Sequence, residues 1–160
     1  ARAEGGRLRR DVAADLRPVA RLIVDDLARS AGPERIVLTL PEGAVLSDLD
    51  PDAFAILLRN LIENALRYGQ PASPVEVSLA SDGMLIVAND GPVVPAGDLA
   101  RLTQRFERTT SDGRGSGLGL AIVRSIAERT GSRFEIRSPR ASGDSGFEAR
   151  FRLKTQTTNA

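Results

Sequence analysis

The stretch Leu57–Gly69, LLRNLIENALRYG, constrains the fold most. Phe54, Leu57, Leu58, Leu61, Ile62, Ala65 and Leu66 recur at three- and four-residue steps, the spacing of one buried helical stripe. Asp50-Pro51 supplies a capping aspartate and a first-turn proline, and Gly69 followed by Pro71 supplies the stop. The spacing therefore predicts a helix from about residue 51 to Tyr68. Asn60, Asn64 and Arg67 are predicted to line up on the face opposite the stripe. Asparagine competes with the backbone for hydrogen bonds and is a mediocre helix former, so two in line point to a task other than folding.

A second helix is expected over Arg17–Ala31, stopped by Gly32-Pro33, and a third over Gly117–Thr130, closed by Gly131. A short helix is expected at Asp98–Gln104. Val75–Ala80 and Met84–Ala88 read as an antiparallel hairpin about Ser81-Asp82-Gly83. Ile36–Leu40, Ala44–Ser47, Arg133–Ser138 and Phe147–Leu153 read as further strands, the last with one wet face. The sum is an α/β (α+β) two-layer sandwich: a mixed, largely antiparallel sheet with about three helices on one face. Residues 1–10 read as a frayed lead-in, 11–154 as the domain, and 155–160 as a disordered tail.

Composition removes whole classes of chemistry. The 160 residues contain no cysteine and no histidine, so thiolate or histidine metal sites, disulfides and Ser-His-Asp triads are excluded from this chain. A net charge of +1 gives no bulk polarity toward nucleic acid. No apolar run approaches the roughly 20 residues of a membrane span.

Four stretches carry candidate chemistry. Gly113-Arg114-Gly115-Ser116-Gly117-Leu118-Gly119 places alternating glycines at a helix start, where backbone amides can approach an anion. Its spacing is neither Walker A nor the dinucleotide fingerprint, so alone it reads equally as a flexible loop. Asn89-Asp90-Gly91-Pro92 ends a strand and is either a plain turn or a hydrogen-bonding edge for a ligand's base. Asn60 and Asn64 offer neutral oxygens suited to a hydrated Mg²⁺ that also leans on phosphates. Arg101, Arg105, Arg108 and Arg114 surround Phe106 and suit polyphosphate, though such a run is usually a solvated face.

In this order, these segments resemble the catalytic and ATP-binding domain of bacterial sensor histidine kinases, within the gyrase, heat-shock-90 and mismatch-repair ATPase superfamily. The central helix resembles the N box, residues 87–95 the G1 box, Arg105–Arg108 the F box, and residues 115–123 the G2 box. The resemblance implies a Bergerat-type fold with Mg-ATP held between the central helix, the G1 turn and a lid of residues 93–116. It implies that Asn64 ligates Mg²⁺ with Asn60 beside it, that Arg67 reaches phosphate, and that Tyr68 packs near adenine. Asn89, Asp90 and Gly91 would meet the base, and Phe106 would anchor the lid. Arg108 and Arg114 would face the phosphates, with Gly115, Gly117, Leu118 and Gly119 forming the close approach.

Two departures stand out. Asn89 occupies the position where the family carries aspartate, which keeps an acceptor but loses the charge-assisted bond to the adenine amine. Val93 stands where a second glycine is common. Position 60 separates the branches: the superfamily's ATPases place a glutamate general base there, and Asn60 cannot take a proton. Transfer of the γ-phosphoryl to a histidine is therefore expected rather than hydrolysis. With no histidine in this chain, the acceptor is expected on dimerisation and phosphoacceptor helices outside it, with a response regulator receiver domain downstream. The resemblance further implies a monomeric fragment of a homodimeric protein, on the cytoplasmic side of an inner-membrane sensor. An ATPase or conformational clamp, and a nucleotide-binding module without phosphotransfer, are the alternatives.

Overall fold

The computed structural model describes residues 8–102, 118–141 and 143–156. In chain order the elements are β1 (Arg9–Asp15), α1 (Arg17–Ala31), β2 (Ile36–Thr39), β3 (Leu46–Leu49), α2 (Pro51–Tyr68), β4 (Val75–Leu79), β5 (Met84–Asn89), α3 (Ala96–Leu102), α4 (Leu118–Thr130), β6 (Arg133–Arg137) and β7 (Phe147–Arg152). Five strands form one sheet in the order β2-β4-β5-β7-β6, and β1 pairs with β3 in a separate ribbon. Only the β2–β4 pair of the main sheet is parallel. That pair is joined by the crossover through β3 and α2, as parallel neighbours require.

The central helix forms as its stripe dictates. Phe54, Leu57, Leu58, Leu61, Ile62 and Ala65 are buried. They pack α2 against β4, β5 and β7, with α1 and α4 alongside. Each large side chain withdrawn here contributes about 1.5–3 kcal/mol. On the sheet, Val77 opposes Val87, Leu85 opposes Phe151, and Val87 opposes Ala149. All are buried, so one register carries the core face. Phe134 and Phe151 extend it with ring centroids 6.3 Å apart.

Several expectations change at the edges. Arg9 and Arg10 already belong to β1, so the ordered chain starts before residue 11. Asp50 makes no capping hydrogen bond, because its carboxylate accepts from Arg10 Nε at 2.5 Å instead. The second strand of the β1–β3 ribbon starts at Leu46 rather than Ala44. The tail is ordered further than its composition suggests: Thr155 bridges to Ser47, and Gln156 N–H donates to Leu46 O at 2.8 Å. Helix α3 starts at Ala96, two residues ahead of the expected start.

The outer face of β7 is not uniformly wet. Glu148 is 3% exposed. The β6–β7 connection folds over that face, and Ala141 N–H donates to Glu148 Oε1 at 2.8 Å while Arg150 Nε donates to Oε2. A buried carboxylate is tolerable only with such partners. Burial alone would push its pKa up; the Ala141 amide and the Arg150 guanidinium outweigh it and hold Glu148 below the ordinary glutamate value.

Candidate nucleotide site

The site begins where β5 runs out. Asn89 is the last residue of β5 and lies opposite Phe147, the first of β7, on the core face of the sheet. Its side chain reaches a cavity of about 360 Å³, a volume in the range of small-molecule pockets. Tyr68 from the end of α2, Phe147, Pro92, Val94 and Leu102 form much of its wall. The character is apolar with few polar groups, which suits a flat heteroaromatic ring.

Asn89 is 2% exposed. Its Nδ2 donates to the Asp90 carbonyl at 3.1 Å, while its Oδ1 is buried without a hydrogen-bond partner among the described residues. An unmet buried acceptor costs about 1–3 kcal/mol. On a residue that lines the cavity, it is the acceptor left for a ligand's N–H. Gly91 then turns the chain at φ +151°, in a region that favours glycine. A Cβ there would lie 3.0 Å from the Tyr68 carbonyl, so the glycine also lets the turn sit against the end of α2. Gln70 N–H donates to the Asp90 carbonyl at 3.0 Å and joins the two segments.

The helix row is different in character. Asn60 donates from Nδ2 to the Ile56 carbonyl at 2.7 Å, which fixes its amide on the helix. A Cβ at Gly119 would lie 3.1 Å from Asn60 Oδ1, so the first turn of α4 approaches Asn60 closely because residue 119 has no side chain. Asn64 is 8% exposed, buried beside the stripe rather than on the face opposite it. Among the described residues it has no hydrogen bond that would occupy its amide. Arg67 is exposed in the last turn of α2. Among the described residues no group of three or more carboxylate, histidine or cysteine ligands could hold a metal. A metal held mainly by phosphate and water needs only one such neutral oxygen, and Asn64 fits that requirement.

The structure thus brings Tyr68 and Asn89 together at one cavity, with Asp90 and Gly91 in the turn beside it. It brings Asn60 and Gly119 together between α2 and α4. Arg67 does not line the cavity. Phe106, Arg108, Arg114, Gly115 and Gly117 lie outside the described residues, as does the expected lid beyond Leu102; Leu118 opens α4. Phe147 and Leu102 are wall residues that sequence reasoning missed. For Phe147 the signal was the alternation of β7, which becomes informative only once β7 is known to pair with β5.

Residues 49–157 match the family model described as histidine kinase-, DNA gyrase B-, and HSP90-like ATPase. The chain belongs to this family. Among curated relatives, sensor protein QseC of Escherichia coli (strain K12) is 34% identical over 147 residues, covering 85% of this chain and 32% of the relative. The chain therefore spans about a third of that relative's length. The solved cytoplasmic segment of histidine kinase QseC superimposes with a TM-score of 0.64 at 28% identity, covering 89% of this chain and 74% of that one. The mycobacterial sensor histidine kinase MprB matches in fold, with a TM-score of 0.75 at 22% identity over 91% of this chain and 98% of that one. Family membership makes ATP the nucleotide for which the cavity beside Asn89 is to be judged. No helix among the described residues is long and apolar enough to cross a membrane.

Proposed function

We propose that this chain is the ATP-binding catalytic domain of a sensor histidine kinase, presenting the γ-phosphoryl of Mg-ATP to a histidine on a separate domain. The observation that carries the reading is the buried, unpartnered Oδ1 of Asn89 beside an apolar cavity of about 360 Å³. In this reading Asn89 accepts from the adenine amine, Tyr68 and Phe147 enclose the ring, and Asp90 and Gly91 shape the turn. Asn64 would hold Mg²⁺, which would supply charge neutralisation to the phosphates. Arg67 reaches phosphate from the last turn of α2, and Gly119 admits the phosphates to the start of α4. The roles of Phe106, Arg108, Arg114, Gly115, Gly117 and Leu118 rest on the resemblance of their segments alone.

Asn60 decides between transfer and hydrolysis. Its amide has no basicity and its Nδ2 is already committed to the Ile56 carbonyl, so it cannot activate water. Catalysis by positioning and electrostatics remains, which is what phosphoryl transfer needs. The acceptor histidine would sit on dimerising helices, and a receiver domain would take the phosphoryl group onward, at the cytoplasmic side of a membrane sensor.

The test is a titration of ATP with and without Mg²⁺, followed by mixing with a separately produced phosphoacceptor helix pair and γ-labelled ATP. Label on histidine is expected. Nucleotide binding without histidine labelling would leave a binding module, and steady phosphate release from ATP alone would make this a hydrolase.

A further inference from the structure

Arg140 lies in the β6–β7 connection, far in sequence from the base-binding turn, yet its side chain is only 12% exposed. Nη1 donates to Asp90 Oδ1 at 3.1 Å, and Nη2 donates to Glu76 Oε1 at 2.7 Å. The same connection holds the turn at two more points. Gly146 N–H donates to the Gly91 carbonyl at 2.7 Å, and Val94 N–H donates to Ser138 Oγ at 2.8 Å. Gly146 has φ +84°, and a Cβ there would lie 2.4 Å from the Asn89 carbonyl and 3.1 Å from Arg140 Cδ. Residues 89–94 are thus clamped from outside the cavity at both ends.

The consequence falls on Asn89. An amide can present either oxygen or NH₂ to a ligand, a choice a carboxylate does not have. Here the Asp90 carbonyl makes the choice, by accepting from Asn89 Nδ2 at 3.1 Å and leaving Oδ1 as the amide's unpartnered acceptor on a residue that lines the cavity. The opposite orientation would set Oδ1 against that carbonyl. The position of the Asp90 carbonyl depends in turn on what holds Asp90.

We propose that Arg140 is a positioning and specificity-determining residue: by fixing Asp90 it fixes the Asn89 amide with its oxygen inward, and so selects 6-amino over 6-oxo purine nucleotides. This rests on the nucleotide-binding reading above. A 6-amino group donates to Oδ1, whereas a 6-oxo group would face it as a second acceptor.

The experiment compares ATP with inosine triphosphate on the whole chain by calorimetric titration, with thermal unfolding as the control. The unaltered chain is expected to prefer ATP. Arg140→Met keeps the aliphatic stem and should reduce the ATP-over-ITP ratio about fivefold, the size of one neutral hydrogen bond. Arg140→Lys should recover part of the ratio. Asp90→Ala releases the same bond from its half-exposed end, and carries the test if Arg140→Met unfolds. The double variant should fall no further than either single one, because both act through one link. Equal weakening of ATP and ITP, or an unchanged ratio, overturns the proposal while leaving the nucleotide site in place. Absence of binding to either nucleotide by the unaltered chain overturns the functional reading and the proposal with it.

Discussion

The two ends of the site are built differently. At the turn after β5, nearly every polar group is committed: the Asp90 carbonyl accepts from Gln70 and Asn89, the Asp90 carboxylate accepts from Arg140, and the Gly91 carbonyl accepts from Gly146. One acceptor, Asn89 Oδ1, is buried without a partner among the described residues. Along α2, by contrast, Asn64 and Arg67 carry polar groups with no protein partner among the described residues, and only Asn60 is tied back to the helix. Rigid prearrangement suits a ligand part whose shape never changes, such as a purine ring. A hydrated metal and a phosphate chain bring their own ligands and charge, so the protein need supply only a few uncommitted groups there.

The contrast is tested most severely at Asn64. Asn64→Ala should remove the Mg²⁺-dependent part of ATP affinity, on the order of a 100-fold loss. Asn64 makes no hydrogen bond among the described residues, so the variant loses only the packing of a small buried amide and its unfolding temperature should fall modestly. An unchanged Mg²⁺ dependence would end the metal assignment and leave α2 as a merely polar helix face. The reverse pattern is expected at the turn. Gly146→Ala would force a Cβ to within 2.4 Å of the Asn89 carbonyl at a positive φ. It should cost about 2–4 kcal/mol of stability, read by urea unfolding, and weaken ATP as a consequence. If Gly146→Ala were as stable as the unaltered chain, the turn would be softer than its hydrogen bonds imply.

The sequence revealed these two ends unequally. The α2 stripe was legible because a helix repeats within a few residues, so Leu57, Leu58, Leu61 and Ile62 announce their face locally. The helices ending at Ala31 and Thr130 were legible for the same reason, through the glycines that follow them. The burial of Asn64 follows from the same spacing, three residues after Leu61 and seven after Leu57, so it lies at the edge of the stripe and not with Asn60 and Arg67 on the opposite face. The clamp by Arg140 and the wall position of Phe147 arise from β5–β7 and β6–β7 pairing, contacts between residues far apart in sequence. Asp50 illustrates the same limit: its local role as a helix cap was overridden by Arg10, forty residues upstream.

A milder test sits on the leftover acceptor. Asn89→Ala should lower ATP affinity about tenfold through loss of one base hydrogen bond, while the Mg²⁺ dependence of the remaining binding stays intact. Isothermal titration at two Mg²⁺ concentrations separates the two. A joint loss of both would mean that the ends are coupled, not independent. A gain in stability is expected alongside, since the variant no longer buries an unmet oxygen.

The smallest effect concerns the support beneath the turn. Glu148 is held below the ordinary glutamate value, against the cost of its burial, by the Ala141 amide and by Arg150. A depressed native pKa means that the unfolded chain binds the proton more readily, so stability rises with pH through that range. The contribution is fully present above the unfolded value near 4.3 and is lost as pH falls through the lower native value. Glu148→Gln should therefore cost about 1 kcal/mol at neutral pH, and the difference from the unaltered chain should shrink below pH 4. Thermal unfolding of both proteins across that pH range measures it. A difference that stays constant with pH would mean that the charge contributes nothing, and that the buried β6–β7 connection is held by shape and backbone bonds alone.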